Sequence, residues 1–176
     1  YSHTIAGESI DYASVSGLER TDDTPSGTGG ALYTVDAAVT NAPNINQPYD
    51  SVAYMHWFKF ESFPTSGIRY VSGGIYNRTR AYVYSDGRLN IHVGDQNHLV
   101  PAGVVKANRW HHLLTSYADG VAKFYLDGKL LEERNVTIDP SLLAPQVPSR
   151  GHWIWQGYGE GAATYQDEIY MYPVGF

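Results

Sequence analysis

Three Asp-Gly pairs constrain the fold of this chain more than any other feature of its sequence. Each pair separates two segments of alternating apolar and polar residues, in the turns Ser85-Asp86-Gly87-Arg88, Ala118-Asp119-Gly120-Val121 and Leu126-Asp127-Gly128-Lys129. Asp-Gly is favoured in tight hairpin turns because such turns require a positive φ. The sequence therefore predicts three β-hairpins within an antiparallel meander.

Short apolar segments with Gly, Pro, Asn and Asp between them continue along the rest of the chain, without sustained helical spacing. Strands are predicted at 31–39, 51–62, 68–77, 80–86, 88–94, 110–117, 121–127, 130–138, 150–158 and 164–173. Loops are predicted at 20–30, 41–50 and 139–150, which are rich in turn-forming residues. The length of 176 residues suits one domain. We expect a single all-β domain over 1–176, a two-sheet antiparallel β-sandwich.

Composition and charge exclude two classes of partner. The net charge is −6, and the 12 Lys and Arg residues are scattered singly, so there is no basic stripe for a nucleic acid. No apolar segment approaches the ~20 residues that span a bilayer, so no membrane insertion is expected. Zero cysteines exclude a disulfide framework and thiolate metal sites.

The cellular location is expected to be secreted or extracellular. The first residue is Tyr1 rather than Met, which favours removal of a preceding signal or pro-segment. Two glycosylation sequons, Asn77-Arg78-Thr79 and Asn135-Val136-Thr137, point the same way.

A set of motifs in the second half of the chain carries a family resemblance. Trp110-His111-His112-Leu113 is followed by Tyr117-Ala118-Asp119-Gly120 and then by Phe124-Tyr125-Leu126-Asp127-Gly128. The last predicted strand carries Asp167-Glu168-Ile169-Tyr170-Met171-Tyr172. Together with the upstream turn Asp86-Gly87-Arg88-Leu89, this resembles the laminin G-like family of the concanavalin A-like jelly-roll superfamily over residues 51–176. The resemblance implies a jelly-roll fold shared by lectins, modules appended to glycoside hydrolases, adhesion receptors and polysaccharide lyases. It also suggests a fungal-type lectin domain, present as a multimer or in tandem repeats.

Strand alternation predicts which side chains form the core. On segment 51–62 one face carries Val52, Tyr54, His56, Phe58 and Phe60. Core faces are also expected for Trp110, His112 and Leu114 and, on the next strand, for Ala122, Phe124 and Leu126. His111 and His112 are neighbours on a strand and point to opposite faces, so they cannot chelate one metal together.

A carbohydrate-binding site is predicted at one end of the meander. The segment Gly94-Asp95-Gln96-Asn97-His98 follows the strand that bears His92, and the loop with Tyr76, Asn77 and Arg78 is expected at the same end. Carboxylate and amide groups bind sugar hydroxyls, an Arg binds an acidic sugar, and Tyr76 or His98 can stack on a ring. Trp153 and Trp155 share a strand face and form an aromatic platform if Ile154 faces the core. We expect galactose-like or acidic sugars, within glycans or a polysaccharide, as ligands.

Calcium is a possible cofactor, because laminin G-like relatives include calcium binders with ligands on a rim loop. Hard oxygen donors suit this ion. The candidate ligands are Asp95 with Asn97, or Asp22 with Asp23.

Two other functions remain open. A polysaccharide lyase would use His92 and a Tyr as acid and base on a uronate polymer, and Asn90-Ile91-His92 resembles a lyase strand. A non-catalytic adhesion module would bind no glycan. The chain lacks the Glu-x-Asp and Glu-x-Glu patterns that bring glycosidase carboxylates together on one strand, so a lectin rather than an enzyme is expected.

Overall fold

The computed structural model describes residues 2–5, 8–11, 19–34, 38–41, 50–73, 79–139, 153–156 and 164–172. Within these ranges the regular structure consists of strands alone. The strands are β1 (Ser2–Ile5), β2 (Glu8–Asp11), β3 (Glu19–Thr21), β4 (Ala31–Thr34), β5 (Ala38–Asn41), β6 (Val52–Phe60), β7 (Ile68–Gly73), β8 (Thr79–Tyr84), β9 (Leu89–Val93), β10 (Gln96–Val100), β11 (His111–Ala118), β12 (Val121–Leu126), β13 (Lys129–Asn135), β14 (Trp153–Gln156) and β15 (Thr164–Tyr172).

Two sheets form the sandwich. The large sheet has nine strands, in the order β13-β12-β11-β6-β15-β1-β2, with β4 also paired to β15 and β3 paired to β4. The small sheet has four strands in the order β10-β9-β8-β7, and the β14–β5 pair packs beside β7. All pairs are antiparallel except β1 with β15. The predicted two-sheet antiparallel β-sandwich is confirmed, and each predicted strand overlaps an observed one.

The three predicted hairpins are present, between β8 and β9, β11 and β12, and β12 and β13. Asp119 and Gly120 have φ angles of 51° and 77°, and Asp127 and Gly128 have 52° and 76°. Two successive positive φ angles define the turn whose twist matches that of the flanking strands. These two Asp-Gly pairs thus set the geometry of their hairpins, whereas in the pair Asp86-Gly87 only Gly87 has a positive φ, of 87°.

The core lies between the sheets and is built by strand alternation. The face of β6 from Val52 to Phe60 is buried as predicted, and so is the face with Ala122, Phe124 and Leu126. The small sheet contributes Ala81, Val83, Leu89, Ile91 and Val93. Each large apolar side chain buried in this way stabilises the fold by about 1.5–3 kcal/mol.

The predicted core face of β11 is wrong. His111 and Leu113 are buried and pair with Phe58 and His56, so they face the core. His112 pairs with Trp57 and lies on the outer face together with Leu114. Both faces of β11 carry bulky side chains, so alternation along the sequence does not show which face is buried. The pairing register with β6 places His111 and Leu113 on the core face.

Strand β10 is absent from the predicted strands, because its sequence, Gln96-Asn97-His98-Leu99-Val100, begins with polar residues. It pairs antiparallel with β9 along its whole length. The short strands β1, β2 and β3 were not predicted either. In the described part of the chain, no helix is long and apolar enough to cross a membrane.

Side chains join the outermost strands of the two sheets. His98 on β10 and Glu132 on β13 are 2.5 Å apart (Nδ1 to Oε2), and Arg134 Nη1 donates to Gln96 Oε1 at 3.2 Å. Arg134 also binds Glu132 at 2.5 Å. Hydrogen bonds from His98 and Arg134 lower the pKa of Glu132. We call this group the edge bridge.

Candidate functional site

The outer face of the small sheet carries a group of polar and aromatic side chains that strand pairing brings together. Tyr70 pairs with Tyr82, Tyr82 with Asn90, Arg80 with His92, and Asn97 with His92. Alternation directs Ala81, Val83, Ile91 and Val93 into the core, so their neighbours face outward. We call this surface the polar face, consisting of Tyr70, Arg80, Tyr82, Tyr84, Asn90, His92 and Asn97.

A hydrogen-bond chain crosses the polar face. Asn97 Nδ2 donates to Asn90 Oδ1 at 3.2 Å, and Asn90 Nδ2 donates to the Tyr82 hydroxyl at 2.9 Å. His92 Nε2 lies 3.3 Å from the same hydroxyl. The Tyr82 hydroxyl thus accepts from Asn90 and lies within hydrogen-bond distance of His92. The chain fixes the orientation of both amides and of the imidazole.

Aromatic rings form a row across the polar face. The Tyr82 ring lies 5.5 Å from Tyr70, 5.4 Å from Tyr84 and 5.5 Å from His92. The Arg80 guanidinium lies 5.5 Å from the Tyr82 ring, and that of Arg88 lies 4.8 Å from the Tyr84 ring. Tyr70 and Tyr84 are partly exposed, and Asn97 is exposed. The face therefore offers flat rings beside fixed hydrogen-bonding groups.

The two titratable groups at the centre of the polar face are neutral at pH 7. Burial, followed by the neighbouring Tyr84 hydroxyl, raises the pKa of Tyr82 to about 12. Burial and the nearby Arg80 charge lower the pKa of His92 to about 4. Arg80 thus supplies positive charge beside a neutral hydroxyl and a neutral imidazole, a combination that suits an acidic sugar.

The structure brings some of the predicted site residues together and separates others. His92 and Asn97 lie together on the polar face, and Asp95 lies in the turn before β10, where it accepts from Gln96 at 3.0 Å. His98 lies on the opposite face of β10, in the edge bridge, so it does not join them. Tyr76, Asn77 and Arg78 lie outside the described residues.

Trp153 and Trp155 lie on β14, opposite Asn41 and Val39 of β5. The structure describes the backbone of these two residues but not their side chains, so the aromatic platform remains a prediction. Because β14 packs beside β7, this strand adjoins the small sheet.

The sequence interpretation did not name Tyr70, Arg80, Tyr82 and Tyr84 as site residues, and it named Asn90 only in the strand that resembles a lyase strand. A signal for them exists, since Arg80, Tyr82 and Tyr84 alternate with Ala81 and Val83 on β8. This alternation places them on the His92 side once β8 is paired with β9.

The candidate calcium ligands have other partners. Asp23 binds the Lys59 ammonium through one oxygen and accepts from the Trp110 indole through the other, at 2.9 Å. Among the described residues there is no group of three or more His, Asp or Glu side chains that could hold a metal ion. Calcium stays a prediction that needs a direct measurement.

Comparisons with known proteins identify the fold. Similar solved structures include the binding domain of the Paraclostridial mosquitocidal protein 1 (10% identity, 99% of this chain and 48% of that chain, TM-score 0.66). A Trypanosoma rangeli sialidase mutant displaying trans-sialidase activity is also similar (13% identity, 92% of this chain and 27% of that chain, TM-score 0.62). So is the binding domain of botulinum neurotoxin DC in complex with SialylT (11% identity, 99% and 47%, TM-score 0.58).

These identities show likeness of fold alone, and the chain spans about a quarter to a half of the length of those proteins. No curated protein sequence matches this chain significantly. A laminin G-like family model, described as the concanavalin A-like lectin/glucanases superfamily, matches residues 33–166. The chain therefore belongs to the concanavalin A-like lectin/glucanases superfamily.

Proposed function

We propose that this domain is a lectin that binds glycans on its polar face and recognises galactose-like or acidic sugars. The observation that carries the proposal is the row of Tyr rings beside hydrogen-bonded Asn90, His92 and Asn97. A sugar ring presents an apolar C–H face and a rim of hydroxyls, so it requires a flat aromatic surface next to fixed polar groups.

Each group on the polar face has a role in this proposal. The partly exposed ring of Tyr84 provides the stacking surface, and exposed Asn97 has an amide oxygen available for a hydroxyl. The guanidinium of Arg80 attracts the carboxylate of an acidic sugar. The binding domain of botulinum neurotoxin DC, a structural relative, is known in complex with SialylT, which supports a glycan partner.

The polar face is shallow and has few exposed polar groups, so we expect weak binding per site. Strong binding then requires several copies of the domain on one glycan surface, as a multimer or in tandem.

The test is a screen of the purified domain on a broad glycan array, followed by titration calorimetry with the best ligand. We expect specific binding that Tyr84→Ala weakens at least tenfold, equivalent to about 1.4 kcal/mol. Tyr125→Ala is the matched control, because Tyr125 is a partly exposed Tyr on the other sheet. No binding on the array, or equal effects of the two substitutions, would contradict the proposal. Repeating the screen with calcium and with a chelator tests the calcium prediction separately.

One specific observation favours a lyase as the second candidate. The Tyr82 hydroxyl lies 3.3 Å from His92 Nε2, with the Arg80 guanidinium beside the same ring. In a β-elimination on a uronate, neutral His92 would accept the C5 proton and Tyr82, with its raised pKa, would protonate the leaving oxygen, while Arg80 neutralises the carboxylate.

His92→Ala separates the two candidates. A lectin never releases unsaturated product from a uronate polymer, either before or after this substitution. A lyase releases this unsaturated product, which ultraviolet absorbance detects. Its His92→Ala variant binds the polymer without cleaving it.

A further inference from the structure

A cleft lies on the outer face of the large sheet, on the side of the sandwich opposite to the polar face. It has a volume of about 430 Å³ and is lined by Trp57, Arg109, Trp110, His112, Asp127 and Gly128. We call it the tryptophan cleft. It lies where β11 begins and β12 ends, because Asp127 N–H donates to the His112 carbonyl at 2.8 Å.

The aromatic walls of the cleft are held in place. Trp57 and His112 are cross-strand partners, and their rings lie 5.0 Å apart at an angle of 57°. The Trp110 indole donates to Asp23 at 2.9 Å, and the Tyr165 ring contacts it in an edge geometry at 6.3 Å. Rings fixed before a ligand arrives lose little conformational entropy on binding.

The charged groups in and behind the cleft differ in whether they already have hydrogen-bond or ion-pair partners. Asp127 accepts from His111 Nδ1 through one oxygen and from the His112 backbone N–H through the other, both at 2.9 Å. Lys59, behind the Trp110 ring, is paired with Asp23. Arg109 is exposed and has no hydrogen-bond or ion-pair partner among the residues that the structure describes. Its guanidinium is the lining group that is left to bind an anion.

We propose that the tryptophan cleft is a second glycan subsite, which takes a sugar ring bearing a carboxylate. The Trp57 and Trp110 rings contact the apolar face of the sugar, and Arg109 binds the carboxylate with two parallel N–H donors. The Asp127 oxygens, which each have a lone pair remaining, accept from ring hydroxyls. The domain then has binding sites on both outer faces and can join two glycan chains.

This subsite requires no binding at the polar face, so the two proposals are tested separately. Indole N–H signals in ¹H–¹⁵N NMR spectra report on the cleft while glucuronate, N-acetylneuraminate or glucose is added. We expect glucuronate, N-acetylneuraminate or both to shift the Trp57 and Trp110 signals, and glucose to leave them in place. Which of the two acids binds distinguishes uronic from sialic acid recognition.

Arg109→Gln is the decisive variant, since it removes an unpartnered exposed charge and leaves the fold intact. We expect it to weaken binding of the acidic sugar at least tenfold. Lys106→Gln, an exposed cation three residues earlier, should leave binding unchanged. Tyr84→Ala on the polar face should also leave the Trp57 and Trp110 shifts unchanged. Equal shifts with glucose and the acids, absence of shifts with all three, or full binding by Arg109→Gln would overturn the proposal.

Discussion

His111 and Asp127 are joined across the β11–β12 hairpin by a hydrogen bond of 2.9 Å between Nδ1 and Oδ2. His111 is fully buried, and its Nε2 accepts from the backbone N–H of Lys106 at 3.0 Å. Since Nε2 accepts, Nδ1 carries the proton and donates it to Asp127. The turn residue therefore fixes the tautomer of a core histidine.

Asp127→Ala should destabilise the domain by about 2 kcal/mol. The substitution leaves the buried Nδ1–H without its acceptor and removes the bond to the His112 N–H. It also puts Ala at a φ of 52°, which Asp and Asn tolerate better. Urea denaturation measures the loss, and Asp127→Asn should lose less. Equal stability of wild type and Asp127→Ala would show that the bond contributes nothing.

Gly94→Ala should destabilise more than Gly67→Ala. Both glycines have positive φ angles, 58° and 65°, so both variants carry similar backbone strain. A Cβ on Gly94 would lie 2.6 Å from Ile138 Cγ2, whereas a Cβ on Gly67 meets nothing within 4 Å. Gly67→Ala should therefore cost about 1 kcal/mol, and Gly94→Ala a further 1–3 kcal/mol from overpacking. Thermal denaturation of the two variants gives the difference, and identical losses would contradict the predicted clash.

Stability should fall as the pH is lowered from 6.5 towards 4, in part through His56. Burial, followed by the charge of His112, lowers the pKa of His56 to about 3. The unfolded chain, with an ordinary His pKa of about 6.5, binds the proton in this window and the folded protein does not. Between these two pKa values His56 contributes a slope of up to ~1.4 kcal/mol per pH unit. Its stability contribution is fully present above the unfolded pKa and is lost as the pH falls towards the folded pKa.

His56→Leu removes that contribution, so its free energy of unfolding should depend less on pH between 6.5 and 4. The carboxylates are common to both proteins and cancel in the comparison. Parallel pH profiles of wild type and variant, measured by urea denaturation, would contradict a neutral buried His56.

Lys59 and Asp23 should be energetically coupled. The Lys59 side chain is 10% exposed and that of Asp23 is 41% exposed, so solvent screens the pair in part. Burial lowers the pKa of Lys59. Asp23→Asn removes the carboxylate that is paired with its ammonium group. We expect this variant to lose about 1–2 kcal/mol. In a Lys59→Met background, Asp23→Asn should cost less stability. If the stability losses of the two single substitutions simply add in the double variant, the two residues are not coupled.

The meander could be predicted because its determinants are local. Asp119-Gly120 and Asp127-Gly128 set the turn geometry, and turn geometry sets the register of the strands on either side. Strand β10 could not be predicted in this way, because the Gly94-Asp95 turn is followed by polar Gln96 and Asn97. Its strand structure depends on pairing with β9, which is a tertiary effect.

The candidate site was predicted only in part for a related reason. His92 and Asn97 were identified as polar residues close in sequence, and cross-strand pairing confirms that they are neighbours. Tyr82 and Arg80 reach His92 only through the β8–β9 register. The outward position of His112 opposite Trp57, which forms the tryptophan cleft, follows likewise from the β6–β11 register. Local spacing therefore gives turns and faces, while pairing decides which faces meet.

The edge bridge bears on how copies of the domain behave when crowded together. An unpaired strand edge can accept a strand from another molecule, which is a route to aggregation. Here an incoming strand at β10 or β13 would have to approach past His98, Glu132 and Arg134, which are already bound to one another. The adjacent β12–β13 pairing is irregular between Phe124 and Tyr125, which further disfavours a flat addition surface. We therefore expect the β10 and β13 edges to disfavour strand addition between neighbouring copies.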